Sequence, residues 1–240
     1  MYSSLSIVIP VYNESESIEP TLTEIETKIK TPHEILIVYD FDEDSTLPVV
    51  RRYMESNSKV RLVRNKYGKG VLNAIKSGFQ EATYNAVLVV MADLSDDLGK
   101  VDKMFDKINE GYDIVCGSRY MKGGRQIGGP WIKKTLSRIA GVSLHYLAGI
   151  PTHDITNSFK IYTRRVLESV IIESSGGFEL GMEITIKAFQ KGMKITEIPS
   201  VWMDRSAGES KFMLWKWFPR YFHWYMVALK GRLPKLLSIY

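Results

Sequence analysis

A chain of 240 residues, 45% hydrophobic and 25% charged, carries enough apolar content for one large domain with a real core, alone or with an appendage, and excludes a low-complexity chain. Its one cysteine, Cys116, excludes an internal disulfide and points to a reducing compartment. No signal-peptide pattern precedes the first apolar stretch, and no apolar run reaches the roughly 20 residues that span a bilayer. The net charge of +5 is unevenly spread: residues 210–240 hold six basic side chains and no carboxylate, and residues 122–149 hold five and none. Two basic segments on a near-neutral body suggest a surface that faces polyanions such as lipid head groups, phosphates or nucleic acid.

In chain order, residues 5–11 read as a strand closed by Pro10 and followed by Tyr12, Asn13 and Glu14. A helix over 14–29 follows, with Ile18, Leu22, Ile25 and Ile29 at helical spacing. A strand over 34–40 ends in Asp40, Asp42, Glu43 and Asp44, and then come a helix over 45–56, a strand over 59–64 and a helix over 70–82. The run Val87-Leu-Val-Val reads as a strand buried on both faces, and it leads directly into Asp93, Asp96 and Asp97. A helix over 98–110 and a strand over 113–117, in which Cys116 is a small buried apolar side chain, complete a strand–helix alternation. The alternation predicts an α/β fold with a mostly parallel sheet and helices on both faces. Gly123, Gly124, Gly128, Gly129 and Pro130 then mark a mobile connection. Beyond it lie an amphipathic helix over 132–147, a short strand over 159–162, a helix over 178–191 and a last strand over 194–202.

Three predicted strands end in carboxylates: Glu14, Asp40 and Asp93. Parallel strands carry these ends to one edge, where ligands of open α/β sheets bind, so the three are expected to share a nucleotide or metal–phosphate crevice. Asp93 comes too early to cap the next helix and is suited to a hard cation; Asp96 and Asp97 are read as N-caps. The absence of Gly-x-Gly-x-x-Gly after the first strand argues against a dinucleotide fold. Gly68-Lys69-Gly70 reads chiefly as a helix start, although its N–H groups suit a phosphate.

The motifs Ile7-Val-Ile-Pro-Val-Tyr-Asn-Glu14, the Asp40 turn, Met91-Ala-Asp-Leu-Ser95, Gly117-Ser-Arg-Tyr120 and Asp204-Arg-Ser-Ala-Gly-Glu-Ser-Lys211 occur in the order found in a known family. Over about residues 5–211 the chain resembles family 2 glycosyltransferases of the GT-A (Rossmann-like) fold, especially the dolichyl (polyprenyl) phosphate mannosyl- and glucosyltransferases. The resemblance implies a GT-A domain over 1–211, with Pro10, Tyr12, Glu14 and Asp40 as donor-nucleotide contacts. It implies that Asp93 contacts the donor diphosphate and a divalent metal, Mg2+ or Mn2+. Arg119, Arg205 and Lys211 then fall near the donor diphosphate and the acceptor phosphate, and residues 154–160 fall beside the sugar. Two departures stand out: Met91 where the family has the first aspartate of Asp-x-Asp, and Tyr39 where it has the first of an Asp-Asp pair.

Eight aromatic residues fall between Phe212 and Tyr225, interleaved with Lys216 and Arg220. Aromatic rings favour the membrane interface and basic side chains favour anionic head groups, so 212–240 is expected to form amphipathic interfacial helices. Pro219 should end one helix or open the next. The expected protein is an inverting hexosyltransferase, peripheral on the cytoplasmic face of a membrane. Its expected partners are a nucleotide sugar donor, polyprenyl phosphate as acceptor and the membrane surface, with no nucleic acid. Two rival readings are a transferase acting on a saccharide with Glu183 as base, and a non-catalytic nucleotide-sugar-binding protein.

Overall fold

A computed structural model describes residues 1–204 and 214–231. The elements are β1 (Leu5–Pro10), α1 (Ile18–Lys28), β2 (His33–Tyr39), α2 (Thr46–Met54), β3 (Val60–Arg64), α3 (Val71–Glu81), β4 (Ala86–Val89), α4 (Val101–Asn109) and β5 (Ile114–Ser118). They continue with β6 (Arg125–Ile127), α5 (Trp131–Ala148), β7 (Lys160–Thr163), α6 (Arg164–Ser169), α7 (Leu180–Gln190), β8 (Ile195–Pro199), β9 (Val201–Met203) and α8 (Leu214–Lys230).

Seven strands form the main sheet in the order β3-β2-β1-β4-β7-β5-β8. Every residue of β1 and β4 is buried, which is why both read as continuous apolar runs. Alternation along β1 sends Ile7 and Ile9 to the face covered by α1, α2 and α4, while Val8 packs with α3 and α7 on the other. A third cluster joins Leu144 of α5, Met182 and Ile186 of α7, and Trp224 and Ala228 of α8. The order of strands reverses at β1, whose neighbours are β2 and β4, both parallel to it. The loops after β1 and β4 therefore diverge around one crevice.

Four expectations need correction. The strand predicted at 159–162 is β7, shifted by one residue and antiparallel to both β4 and β5, between which it lies. The strand predicted over 194–202 is two strands: the chain turns at Ser200, whose N–H bonds Ser118 at 3.0 Å and whose carbonyl accepts from Arg125 at 3.0 Å. β9 then leaves the main sheet to pair with β6, inside the glycine-rich stretch expected to be a connection. Pro219 lies within α8 rather than at an end. A proline there costs about 3 kcal/mol or more, and burial of Trp224 and Ala228 against α5 and α7 offsets it.

Candidate active site

The loop after β1 is held from behind. Asn13 adopts a left-handed backbone, with φ 55°, which asparagine tolerates. Its N–H donates to both carboxylate oxygens of buried Asp44 at 3.1 Å, and the Glu14 N–H donates to Thr46 Oγ1 at 2.9 Å. Tyr12 and Glu14 are thereby presented to a cavity of about 1100 Å3, with Pro10 beside them. Tyr12 meets Phe41 edge-on at 5.5 Å between ring centroids. Asp40, after β2, accepts from Asn65 Nδ2 at 2.7 Å and from the Gly70 N–H at 2.8 Å, so it holds the 65–70 loop in place. Gly70 needs its glycine, since φ is 124°. Its N–H therefore serves Asp40, while Lys69 lines the cavity.

After β4 the three aspartates separate. Asp93 lines the cavity and accepts the Ser95 N–H at 3.2 Å. Leu94 between them has φ 59°, uncommon for a bulky residue and a mark of backbone held against its preference. The Asp96 carboxylate instead accepts the Met91 N–H at 3.2 Å, and Asp97 accepts the Val201 N–H at 3.4 Å. Neither side chain caps the short 3-10 turn at 98–100, so the capping expectation gives way to a clamp on the Asp93 loop. Met91 places a thioether on the cavity wall. The loop thus offers one carboxylate to the cavity. That set suits Mg2+ or Mn2+, which is commonly held by one or two carboxylates together with substrate phosphates.

Burial, and then the neighbouring Asp93 carboxylate, push Asp96 up to about 7. The unfolded chain releases this proton near its ordinary value of 3.8. The folded protein holds more protons between those limits, so stability falls as pH rises from about 4 to about 7. Asp96→Asn keeps an acceptor for the Met91 N–H and removes the ionisation. We expect thermal melts to show a larger gain in Tm at pH 8 than at pH 5; equal losses at both would reject the buried-acid assignment.

Arg119, just past β5, is half of a buried ion pair. Its Nε and Nη2 donate to Asp154 at 2.6 and 2.8 Å, its backbone N–H donates to the same carboxylate at 3.0 Å, and Nη2 also reaches Thr156 Oγ1 at 3.1 Å. Burial alone would raise Asp154, but the Arg119 guanidinium outweighs it and holds the carboxyl below its ordinary range. Arg119 lines the cavity with its charge already balanced. Buried Lys160 donates to the Ile155 carbonyl at 3.0 Å and to that of Asn157, fixing the turn that carries Thr156; burial lowers its pKa.

Glu183 is fully buried and accepts the Glu173 N–H at 2.6 Å, the Ser174 N–H at 2.9 Å and Lys187 Nζ at 2.7 Å. Burial would raise it, yet these hydrogen bonds prevail and lower it. It works as a loop anchor, an arrangement that does not favour a role as base.

Much of the remaining lining is apolar, although Gln126, Lys133, Ser137, Asn157 and Asp204 also border the cavity. Leu136, Ile139 and Ala140 of α5 and Trp217, Phe218, Tyr221, Phe222 and Tyr225 of α8 border the same cavity that Glu14, Asp40, Asp93 and Arg119 border. The sequence reading did not anticipate that α8 enters the site, although Trp217, Tyr221, Trp224 and Ala228 recur at helical spacing and signal an inner face. It also passed over Asp44, whose side chain accepts the Thr46 N–H at 2.8 Å. An Asp two residues before an N–H at a helix start is the local sign of that bond. Arg205 and Lys211 lie outside the described residues.

This combination of carboxylates at the ends of parallel strands, a strand-order reversal and a large mixed cavity defines a nucleotide-sugar transferase domain of the GT-A type. The Glycosyl transferase family 2 model matches residues 6–171. A dolichol-phosphate mannosyltransferase of Pyrococcus furiosus is 32% identical over 212 residues, covering 86% of this chain and 58% of its own length. A polyprenol monophosphomannose synthase of Mycolicibacterium smegmatis is 28% identical, covering 85% of this chain and 79% of its own. Among solved structures, glucosyl-3-phosphoglycerate synthase of Mycobacterium tuberculosis bound to uridine diphosphate superposes with a TM-score of 0.71 at 16% identity, covering 95% of this chain and 80% of that one. The same enzyme with Mn2+, uridine diphosphate and glucosyl-3-phosphoglycerate gives 0.68 at 15% identity, covering 95% and 79%. The chain belongs to glycosyl transferase family 2. It spans little more than half the length of its Pyrococcus relative.

Proposed function

We propose that this protein transfers a hexose, with inversion, from a nucleotide sugar to polyprenyl phosphate at a membrane surface. GDP-mannose is the favoured donor and UDP-glucose the second. The observation that carries this reading is the divided lining of one cavity, with carboxylates and Arg119 from the strand ends and apolar side chains from α5 and α8. The first set suits a metal-bound diphosphate and the second a lipid chain. The names of the two relatives support the same choice of acceptor.

In the proposed reaction an oxygen of the acceptor phosphate forms a bond to the anomeric carbon, whose bond to the donor diphosphate oxygen breaks, and the nucleoside diphosphate departs. A phosphate is already anionic at pH 7, so no base is needed to activate it; this fits the commitment of Glu183 elsewhere. Asp93 is the residue that would hold Mg2+ or Mn2+, which when bound neutralises charge developing on the leaving diphosphate. Tyr12 and Glu14 border the nucleotide, while Asp40 positions the loop that carries Lys69. Arg119, paired with Asp154, shapes the diphosphate side with its donors fixed in direction. Arg205 and Lys211 retain the expected role at the acceptor phosphate.

The division into a domain over 1–211 and an interfacial segment over 212–240 remains part of this reading, with α8 serving both. Trp131 and Ile139 of α5 and Phe222 of α8 are 74%, 59% and 52% exposed, beside basic Lys133, Lys134 and Arg138. Among the described residues no helix is long and apolar enough to cross a membrane. Such an apolar and basic face suits peripheral binding to anionic lipid, and the cytoplasmic face is the expected location.

The test is incubation with a panel of nucleotide sugars, with and without Mg2+, Mn2+ and polyprenyl phosphate. We expect donor loss to require both the cation and polyprenyl phosphate. Donor loss driven by a saccharide instead would favour the rival transferase, and donor binding without turnover would favour a binding protein. Sedimentation with anionic vesicles, weakened by salt, checks the membrane component.

A further inference from the structure

Residues 173–178 form a turn that is gripped from two directions. From α7, Glu183 accepts the N–H groups of Glu173 and Ser174, while Glu179, just before that helix, accepts those of Gly176 and Gly177 at 3.0 Å each. From α8, the Tyr221 hydroxyl donates to the Phe178 carbonyl at 2.6 Å, and Trp224 Nε1 donates to Ser174 Oγ at 3.0 Å. The Trp217 ring meets Phe178 edge-on at 5.4 Å. Gly176 lies directly under this helix: a Cβ there would meet the Trp217 ring at 2.5 Å, and it would also strike the Arg220 guanidinium. Gly176, Gly177 and Phe178 line the cavity. The opposite side of α8 carries exposed Phe218, Phe222 and Met226.

We propose that Tyr221 and Trp224 are positioning residues of the transfer reaction: α8 sets the 174–178 turn, and through it the acceptor side of the cavity. This rests on the transfer reading above and assigns that reaction two residues of α8, which belong neither to the strand-end carboxylates nor to the metal loop. The chemistry of the contacts explains why α8 must supply them. The Glu179 and Glu183 carboxylates satisfy the turn's N–H groups but have nothing to donate to its Phe178 carbonyl or to the acceptor capacity of Ser174 Oγ. A phenol and an indole N–H, each mounted on a ring that buries apolar surface, meet those needs where α8 borders the cavity. The same helix thus has one side fixed to the turn and the other open to lipid.

Tyr221→Phe and Trp224→Phe remove the donors while keeping aromatic bulk. Three quantities are measured for each variant: hydrogen–deuterium exchange of the 173–177 amides, affinity for the free nucleoside diphosphate, and kcat/KM with the acceptor that the wild type glycosylates. We expect exchange in the turn to rise about tenfold and acceptor kcat/KM to fall about tenfold, mostly through KM. Nucleotide affinity should stay within twofold. Gly176→Ala, approached from the other side of the contact, should reproduce this pattern. Unchanged exchange overturns the inference, as does faster exchange with unchanged acceptor kinetics. Nucleotide affinity falling in step with activity also overturns it, since that marks general damage. A wild type that ignores polyprenyl phosphate but glycosylates another acceptor rejects the lipid reading alone, because the variants are compared with whichever acceptor it uses.

Discussion

Asp93→Asn should lower hexosyl transfer by about 10³, close to 4 kcal/mol of transition-state stabilisation, in a protein that melts within a few degrees of wild type. The size follows from the separation of the three aspartates. Asp96 is turned to the Met91 N–H and Asp97 to the Val201 N–H, and Met91 borders the cavity without a carboxylate. Asp93 is therefore the one carboxylate of that loop left to carry the cation, and neither Asp96 nor Asp97 can substitute as placed. The fold should survive because asparagine keeps Oδ1 as acceptor for the Ser95 N–H. Steady-state rates across a Mg2+ and Mn2+ titration decide the matter. Turnover within a few fold of wild type, with unchanged metal dependence, would remove Asp93 from the metal role.

Asp154→Ala should be the most damaging substitution for stability, at about 3–5 kcal/mol or about 10 °C in Tm for a domain of this size. The guanidinium of Arg119 would stay buried with Nε and Nη2 aimed at an absent partner. Removing both charges, in Arg119→Met with Asp154→Ala, should cost less than Asp154→Ala alone, since no uncompensated ion remains. The pair also has a pH signature. Asp154 is held below its ordinary range in the folded state, so its contribution is complete above about pH 4 and is lost as pH falls through the lower, folded value. Denaturant melts of the single and double variants at pH 7 test the ranking. A double variant less stable than Asp154→Ala would show that packing around the guanidinium, and not its charge, dominates there.

Much of the strand-end half of the cavity was legible in the sequence because it depends on local pattern. Apolar runs such as Ile7-Val-Ile and Val87-Leu-Val-Val specify strands buried on both faces, and their alternation with helices specifies parallel neighbours. Once the strands are parallel, Glu14, Asp40 and Asp93 must emerge at one edge, and all three border the cavity. The motif order carried the family, and the family model matches residues 6–171 of the 5–211 stretch over which the resemblance runs.

What the sequence left open depends on residues that meet only after folding. A four-residue strand such as β7 carries no local sign of its direction, which is set by the strands on either side. Asp93, Asp96 and Asp97 are chemically alike, and only the placement of β9 and of the Met91 N–H decides which of them reaches the cavity. Asp154 meets Arg119 from 35 residues away. Pro219 breaks a helix by local preference, but α8 continues through it because its inner face buries Trp224 and Ala228 on α5 and α7. Helices α5 and α8, far apart in the chain, are brought together where Ser143 Oγ and the Tyr225 hydroxyl meet at 3.0 Å. Local propensity is worth less than about 1 kcal/mol for most residues and about 3 kcal/mol for proline. Burial of each large side chain is worth about 1.5–3 kcal/mol, so the several side chains that α8 packs against α5 and α7 outweigh even Pro219.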